Sequence, residues 1–112
     1  MTPKSANFLH SNSLEWETPA PGLKRQIMGY NTDVMMVKIL FDEGAIGSVH
    51  AHPHTQTTYV VEGKFEVEIN GKKEILSQGD GFFVDPNTDH GVKCIEAGAL
   101  IDVFSPMRAD FL

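Results

Sequence analysis

Near its middle the chain reads GAIGSVHAHPHTQTTYVVEG, from Gly44 to Gly63. Three of its five histidines fall in this stretch, at positions 50, 52 and 54, and Gln56 follows them. On an extended strand, residues two apart project from the same face, roughly 6.5–7 Å from each other along the chain. His50 and His52 can therefore direct their imidazoles toward one point, and we predict a metal site there.

The sequence on either side of this stretch has the pattern of short β-strands. Alternation is clearest from Lys64 to Asn70, where Phe65, Val67 and Ile69 face one way. The pair Asn70-Gly71 that follows is typical of a type I′ hairpin turn. No stretch shows a sustained 3.6-residue period. Eight or nine short strands separated by turn residues therefore predict an all-β sandwich or small barrel.

Several strand boundaries follow from the same pattern. A short segment is expected at Leu14–Glu17, and an extended one at Ser48–His52 that ends before Pro53, which lacks an N–H group. Interruptions in the pattern predict four further separate strands, at 56–61, 64–70, 90–95 and 99–104. The polar residues 1–13 are expected to form a flexible N-terminal segment of a single domain that spans residues 1–112.

Composition excludes several functional classes. The chain has 112 residues, of which 41% are hydrophobic, so it can form one domain with a hydrophobic core. Its net charge of −6 argues against a basic surface that would bind nucleic acid. No stretch approaches the roughly 18 apolar residues needed to cross a bilayer. A single cysteine, Cys94, excludes an internal disulfide or a thiolate cluster and is expected to be buried. We expect a cytoplasmic protein without a membrane partner.

The candidate metal ligands are four residues in the central part of the chain, namely His50, His52, Gln56 and His90. The break at Pro53 allows a turn to bring Gln56 back beside the first two histidines. His90 arrives from a later strand, after a hairpin and two more turns. The alternative is that these histidines lie on the surface or in a solvated loop, since single histidines are more often structural than ligating.

Two motifs resemble those of the cupin superfamily. The first is Gly44-x5-His50-x-His52-x3-Gln56-x6-Gly63, with Gln in the position that usually holds Glu, and the second runs from Gly79 to His90. The resemblance implies a double-stranded β-helix, also described as a jelly-roll barrel. It also implies that His50, His52, Gln56 and His90 bind one divalent metal ion inside the barrel. Zinc, nickel, manganese and iron would all accept such a ligand set.

The amide at position 56 affects the chemistry that such a metal would favour. A carboxylate would lower the net charge of the site, whereas an amide oxygen and three neutral imidazoles leave the ion at its full +2 charge. Such an ion is a stronger Lewis acid toward a carbonyl, hydroxyl or carboxylate. It also stabilises higher oxidation states less well. Gln56 therefore favours polarisation or anion binding over oxygen chemistry.

The C-terminal stretch contains a second group of candidate residues. Asp102 interrupts an apolar strand and shares a face with Leu100 and Phe104. A buried carboxylate needs a partner or an aqueous cavity, and Arg108 is a candidate partner. One interpretation is a structural Asp–Arg pair that fixes the tail. The other places Asp102 and Phe104 on the inner wall of the barrel, with Arg108 as a clamp for an anion.

The tail, the segment Leu23–Tyr30 and the Gly44–Gly63 motif together resemble the small cupins of the KdgF type, from about Leu14 to Leu112. This resemblance implies ring opening of 4,5-unsaturated uronate monosaccharides from pectin or alginate to 5-keto-4-deoxyuronates. By position it assigns activity to Asp102, Phe104 and Arg108: the first as proton shuttle, the others as sugar and carboxylate contacts. His54 is a further candidate for substrate contact. Such cupins are often homodimers, and methionines 28, 35 and 36 could supply an apolar interface or simply fill the core.

Two other functions remain open on the same fold. A metal-dependent dioxygenase would need a redox-active metal and would consume oxygen. A non-catalytic sugar-binding module would bind uronate without turnover. Neither the identity of the metal nor the choice between pectin- and alginate-derived substrate follows from the residues.

Overall fold

The computed structural model describes residues 2–112 and consists almost entirely of antiparallel β-strands. The eight strands are β1 (Glu17–Ala20), β2 (Leu23–Asn31), β3 (Val34–Phe41), β4 (Ile46–His50), β5 (Thr55–Ile69), β6 (Lys72–Ser77), β7 (Gly81–Val84) and β8 (His90–Ser105). Two 3-10 turns flank them, at Ser11–Ser13 and Ala109–Phe111. Within residues 2–112, no helix is long and apolar enough to cross a membrane. The predicted all-β jelly-roll barrel is confirmed.

Strands β5 and β8 are the centre of the fold. Their paired order is β1-β2-β3-β8-β5-β6, while β4 also pairs with β8 and β7 with β5. The first half of β5 pairs with the second half of β8, and the register then shifts around Glu62 before the second half of β5 pairs with the first half of β8. These shifts let one sheet fold over the core. The strands predicted as separate at 56–61 and 64–70, and at 90–95 and 99–104, are thus two long bent strands.

The bend depends on two glycines that lie against each other. Gly63 has a φ of +91°, and a Cβ at that position would lie 2.6 Å from the carbonyl oxygen of Glu96. A Cβ on Gly98 would overlap the carbonyl oxygen of Glu62 and lie 2.7 Å from the Cα of Gly63. Because the obstructing atoms are backbone, they cannot move aside as a flexible side chain would. The glycines are therefore required where the two long strands cross.

Replacing Gly98 by Ala is expected to lower the free energy of unfolding by about 3 kcal/mol, the upper part of the usual range for overpacking. Urea denaturation followed by circular dichroism measures the change. Gly47→Ala is the matched control, because a Cβ there has its nearest neighbour at 3.8 Å. Equal denaturation midpoints for the two variants would show that the crossing is not sterically tight.

The core lies between the two layers of the folded sheet. Its largest cluster contains Phe41 and Phe65, whose rings meet edge-on with centroids 5.2 Å apart, and Cys94, which is buried as predicted. A second cluster groups Met35 with Val37 and Phe104. Met35 is completely buried, so its role is core filling and not an interface.

The N-terminal part differs from the prediction. β1 begins at Glu17, so Leu14 to Trp16 precede it. The segment expected to be flexible packs against β2 from Ser5 onward, whose N–H donates to the carbonyl of Tyr30 at 2.8 Å. Gln26, fully buried, donates to the carbonyl of Ser11 at 2.8 Å. A buried amide needs hydrogen-bond partners, and the N-terminal segment supplies them. Met1 lies outside the described residues.

Candidate metal centre and adjoining cavity

Three histidines converge at one end of the barrel. His50 ends β4 and pairs across the sheet with His90, the first residue of β8, and their ring centroids are 4.5 Å apart. The ring of His52 lies 4.8 Å from that of His90 and 5.5 Å from that of His50. One ring nitrogen from each residue lies within 4.8 Å of the others. The prediction of a shared strand face was only partly right, because β4 ends at His50 and His52 projects from the following loop.

The backbone fixes the tautomer of all three rings. The Nδ1 atoms of His50, His52 and His90 lie 2.8, 3.1 and 2.9 Å from the carbonyl oxygens of residues 48, 54 and 88. A carbonyl only accepts hydrogen bonds, so each Nδ1 carries the proton and each Nε2 has a free lone pair. Burial also lowers the pKa of His52 and His90, which favours their neutral form. Three lone pairs therefore converge, as metal ligation requires.

Gln56 completes this group from β5. Its Oε1 lies 2.9 Å from Nε2 of His52, while its Nε2 donates to Thr58 at 3.0 Å and to Asp102 at 3.3 Å. With the tautomer fixed as above, Oε1 and the histidine Nε2 are two acceptors with no proton between them. The Nε2 of His90 is likewise buried without a hydrogen-bond partner in residues 2–112. A shared cation would satisfy all of these atoms, so the donor set fits a divalent metal ion.

Asp102 is the buried acid next to this group. It shares the inward face of β8 with Leu100 and Phe104, as predicted, and burial raises its pKa to about 6. Thr58 donates to its Oδ1 at 2.6 Å, and Gln56 donates to the same atom. The Oδ2 atom accepts no hydrogen bond from residues 2–112. Asp102 therefore has one oxygen held by its neighbours and one available to a ligand.

The Asp102–Arg108 pair, one of the two interpretations of the tail, is not formed, because Arg108 pairs with Asp110 instead. The Nε and Nη2 atoms of Arg108 donate to the two carboxylate oxygens of Asp110 at 3.0 and 2.8 Å, and this pair lowers the pKa of Asp110. The guanidinium also lies over Phe104, 5.0 Å from the ring centroid, and over Phe111 at 4.3 Å. Asp110 lies in the turn Ala109–Phe111, only two residues from Arg108. Asp102, in contrast, already accepts hydrogen bonds from Thr58 and Gln56.

A cavity of about 240 Å³ opens beside the histidines. Its wall includes six of the residues singled out from the sequence: His50, Gln56, His90, Asp102, Phe104 and Arg108. Drug-sized ligands occupy pockets of about 300–1,000 Å³, so this cavity suits a single small molecule. The wall leaves out both His52, which lies behind it, and His54, whose ring packs edge-on against His52 with centroids 5.4 Å apart. The predicted substrate contact of His54 stays a prediction.

Sequence reasoning missed two members of the site. Thr58 joins Gln56 to Asp102, and its position two residues after Gln56 on the same strand face was an available signal. Phe111 stacks beneath Arg108 and also beneath Arg25, whose guanidinium carbon lies 3.9 Å from the ring centroid. Both Arg25 and Phe111 line the cavity. No sequence pattern connects residue 25 to residue 111.

Comparison with known proteins gives consistent results. Residues 37–104 match the family model described as a cupin domain. The chain is 50% identical over 99 residues to the pectin degradation protein KdgF of Dickeya dadantii, which covers 87% of this chain and 90% of that protein. An RmlC-like cupin from Shewanella frigidimarina superposes with a TM-score of 0.94 at 50% identity, covering 97% of this chain and 98% of that one. KdgF from Halomonas sp. superposes at 0.91 with 41% identity, covering 96% and 100%.

Proposed function

The chain belongs to the cupin family and to its KdgF-like members, and we propose that it opens the ring of 4,5-unsaturated uronate monosaccharides to give 5-keto-4-deoxyuronates. The observation that carries this proposal is the single cavity shared by a metal-ligand group, a buried acid and an arginine. Its size suits one sugar ring better than an oligosaccharide. The relationship to a pectin degradation protein supports a pectin-derived substrate, and an alginate-derived one is the alternative.

Asp102 is the acid/base group in this proposal. The substrate is a hemiacetal, and ring opening breaks the bond between carbon 1 and the ring oxygen as the anomeric hydroxyl loses its proton. The free Oδ2 of Asp102 accepts that proton, and the former ring oxygen becomes the oxygen of an enolate at carbon 5. Asp102 then gives the proton to carbon 4, which converts the enolate to a ketone. Atoms and charge balance without a redox partner. A pKa raised toward neutrality suits a carboxyl group that must both accept and donate a proton.

The three histidines and Gln56 would hold the metal, with zinc, nickel, manganese or iron as candidates. A divalent ion bound there would supply positive charge to the substrate carboxylate or ring oxygens as enolate character develops. The chain itself holds each ligand in place. Backbone carbonyls orient His50, His52 and His90, and the sheet register sets His90 opposite His50.

Arg108 is the proposed contact for the substrate carboxylate. Asp110 takes the guanidinium edge formed by Nε and Nη2. The second edge, formed by Nη1 and Nη2, retains donors that can bind another carboxylate bidentately. Phe104 lies under the guanidinium and on the cavity wall, so it can also pack against the sugar ring. Asp110 thus orients Arg108 and leaves the second edge of its guanidinium for the substrate carboxylate.

Replacing Asp110 by Asn is expected to raise the KM for unsaturated galacturonate about 5- to 10-fold with little change in kcat, because Arg108 loses its anchor but the reacting groups are untouched. Steady-state kinetics measures both constants. Asp89→Asn is the matched control, since that carboxylate is exposed and outside the cavity wall. A lower KM would instead mean that Asp110 competes with the substrate for Arg108.

The reaction itself is tested by following the absorbance of the conjugated double bond of unsaturated galacturonate in the presence of metal-loaded protein. We expect loss of absorbance well above the spontaneous rate, with no oxygen uptake at a parallel electrode. Saturable binding without acceleration would favour a sugar-binding module. Oxygen consumption would favour a dioxygenase. The corresponding alginate-derived monosaccharide, assayed in the same way, distinguishes the two substrate sources.

Two further properties are proposals of the same kind. We propose a homodimer formed through the outer face of β3, where Val34, Met36 and Leu40 are exposed and Lys38 lies between the last two. Light scattering measures the mass, and Met36→Lys should shift it toward the monomer. We also propose a cytoplasmic location, with which the single thiol of Cys94 is compatible.

A further inference from the structure

We propose that Thr58 is a positioning residue that holds the amide oxygen of Gln56 toward the three histidines. This inference deepens the proposed function, and it rests on that function only in taking the three histidines and Gln56 as a metal site. Thr58 is 4% exposed, lies two residues beyond Gln56 on the same face of β5, and pairs across the sheet with Asp102. Its hydroxyl lies 3.0 Å from the Gln56 Nε2 and 2.6 Å from the Asp102 Oδ1.

The directions of these hydrogen bonds carry the argument. A carboxylate only accepts, so the single hydroxyl proton of Thr58 goes to Asp102. The hydroxyl oxygen then has lone pairs alone to offer Gln56, and only the amide NH2 group can donate to them. The amide oxygen must therefore point the other way, to the position 2.9 Å from the His52 Nε2. A glutamine turned by 180° would present NH2 to the metal site and could not ligate a cation.

Thr58 does not itself belong to the cavity wall, which passes through Gln56 and Asp102. It acts through the amide, and it solves a problem that a glutamate ligand would not have, because the two oxygens of a carboxylate are equivalent. An amide ligand needs a neighbour that distinguishes its oxygen from its nitrogen. Outer groups that orient metal ligands typically contribute about 10- to 100-fold to metal affinity.

The test is a titration of metal-free protein with Co²⁺ against a competing chelator, followed by the visible absorption of the bound ion. Thr58→Val keeps the branched shape but removes the hydroxyl, and we expect Co²⁺ affinity to fall about 10- to 100-fold. Thr58→Ser should bind nearly as the parent does. Thr57→Val is the matched control, since that neighbour is exposed on the opposite face. Thermal unfolding of each metal-free variant establishes that it is folded.

A double-variant cycle separates positioning from a general loss of packing. In a Gln56→Ala background, Thr58→Val should cause no further loss of Co²⁺ affinity, because no amide remains to orient. An equal loss in both backgrounds would overturn the proposal, as would parent-like affinity in Thr58→Val alone. Neither measurement depends on turnover. Failure of the ring-opening reaction and failure of this inference are therefore distinguishable.

Discussion

Asp102→Asn is expected to lower the turnover of unsaturated galacturonate by about 10²- to 10⁴-fold, the usual contribution of a positioned acid/base group. Asn has the shape of Asp and can still accept the hydrogen bond from Thr58. It cannot carry a proton between the anomeric hydroxyl and carbon 4. The variant is also expected to remain folded, because a neutral amide is easier to bury than the carboxylate, whose pKa burial raises to about 6.

The measurement combines kcat from the absorbance assay with metal content from elemental analysis. Metal should stay stoichiometric, because Asp102 contacts the ligand Gln56 but is not among the proposed ligands. Asp33→Asn is the control, an exposed carboxylate at the β2–β3 turn. Turnover within a few-fold of the parent would remove Asp102 from the proposed mechanism. Loss of the metal together with activity would assign it a structural role at the metal site.

The sequence was sufficient to predict the elements whose signal is local. Period-two alternation predicts strands directly, and the pair Asn70-Gly71 has the two positive φ angles, 51° and 82°, that its predicted turn requires. Asp102 stood out because a carboxylate in an apolar strand demands an explanation. The four candidate ligands were found from histidine spacing and motif resemblance. These features depend on neighbouring residues, so a linear pattern contains them.

Features that depend on how the strands pack against each other were not predictable in the same way. Gly63 looked like the end of a strand, yet it is the bend at which β5 crosses to the other layer, because Gly98 lies against it 35 positions later. The sequence left Arg108 either as a partner of Asp102 or as an anion clamp, and its pairing with Asp110 depends on which carboxylate already has donors. The role of Thr58 required hydrogen-bond directions. Each depends at least in part on contacts between different strands, such as the one between Thr58 and Asp102.

Gln56 connects these two kinds of feature. From its chemistry alone, the sequence indicates a site that retains the full charge of a divalent ion. The structure adds that its amide donates to Thr58 and to the same carboxyl that the proposed mechanism uses as an acid/base group. The metal-ligand group and the proton-transfer group therefore share one hydrogen-bond network. Substitutions on one side of this network should affect the other, unlike those at distant, independent sites.

His50→Ala is expected to abolish stoichiometric metal binding and, with it, turnover. It removes one of three converging lone pairs, and loss of a direct ligand should exceed the roughly 10- to 100-fold effect of changes in outer groups. His50 is the exposed member of the three, so truncation creates no core cavity and the metal-free fold should keep its stability. Loss of metal binding in this variant can therefore not be attributed to unfolding, whereas it could be for a change at buried His52 or His90.

Thermal unfolding with and without added Ni²⁺ measures the effect of this change on binding. For the parent, metal at 100 times its dissociation constant should add about 2.7 kcal/mol to the free energy of unfolding. His50→Ala should lose nearly all of that gain while its metal-free melting temperature stays unchanged. His10→Ala is the control, because His10 is exposed and outside the cavity wall, and it should keep the full gain. An undiminished gain in His50→Ala would place the metal on other residues, and the mechanism built on this cavity would then fail.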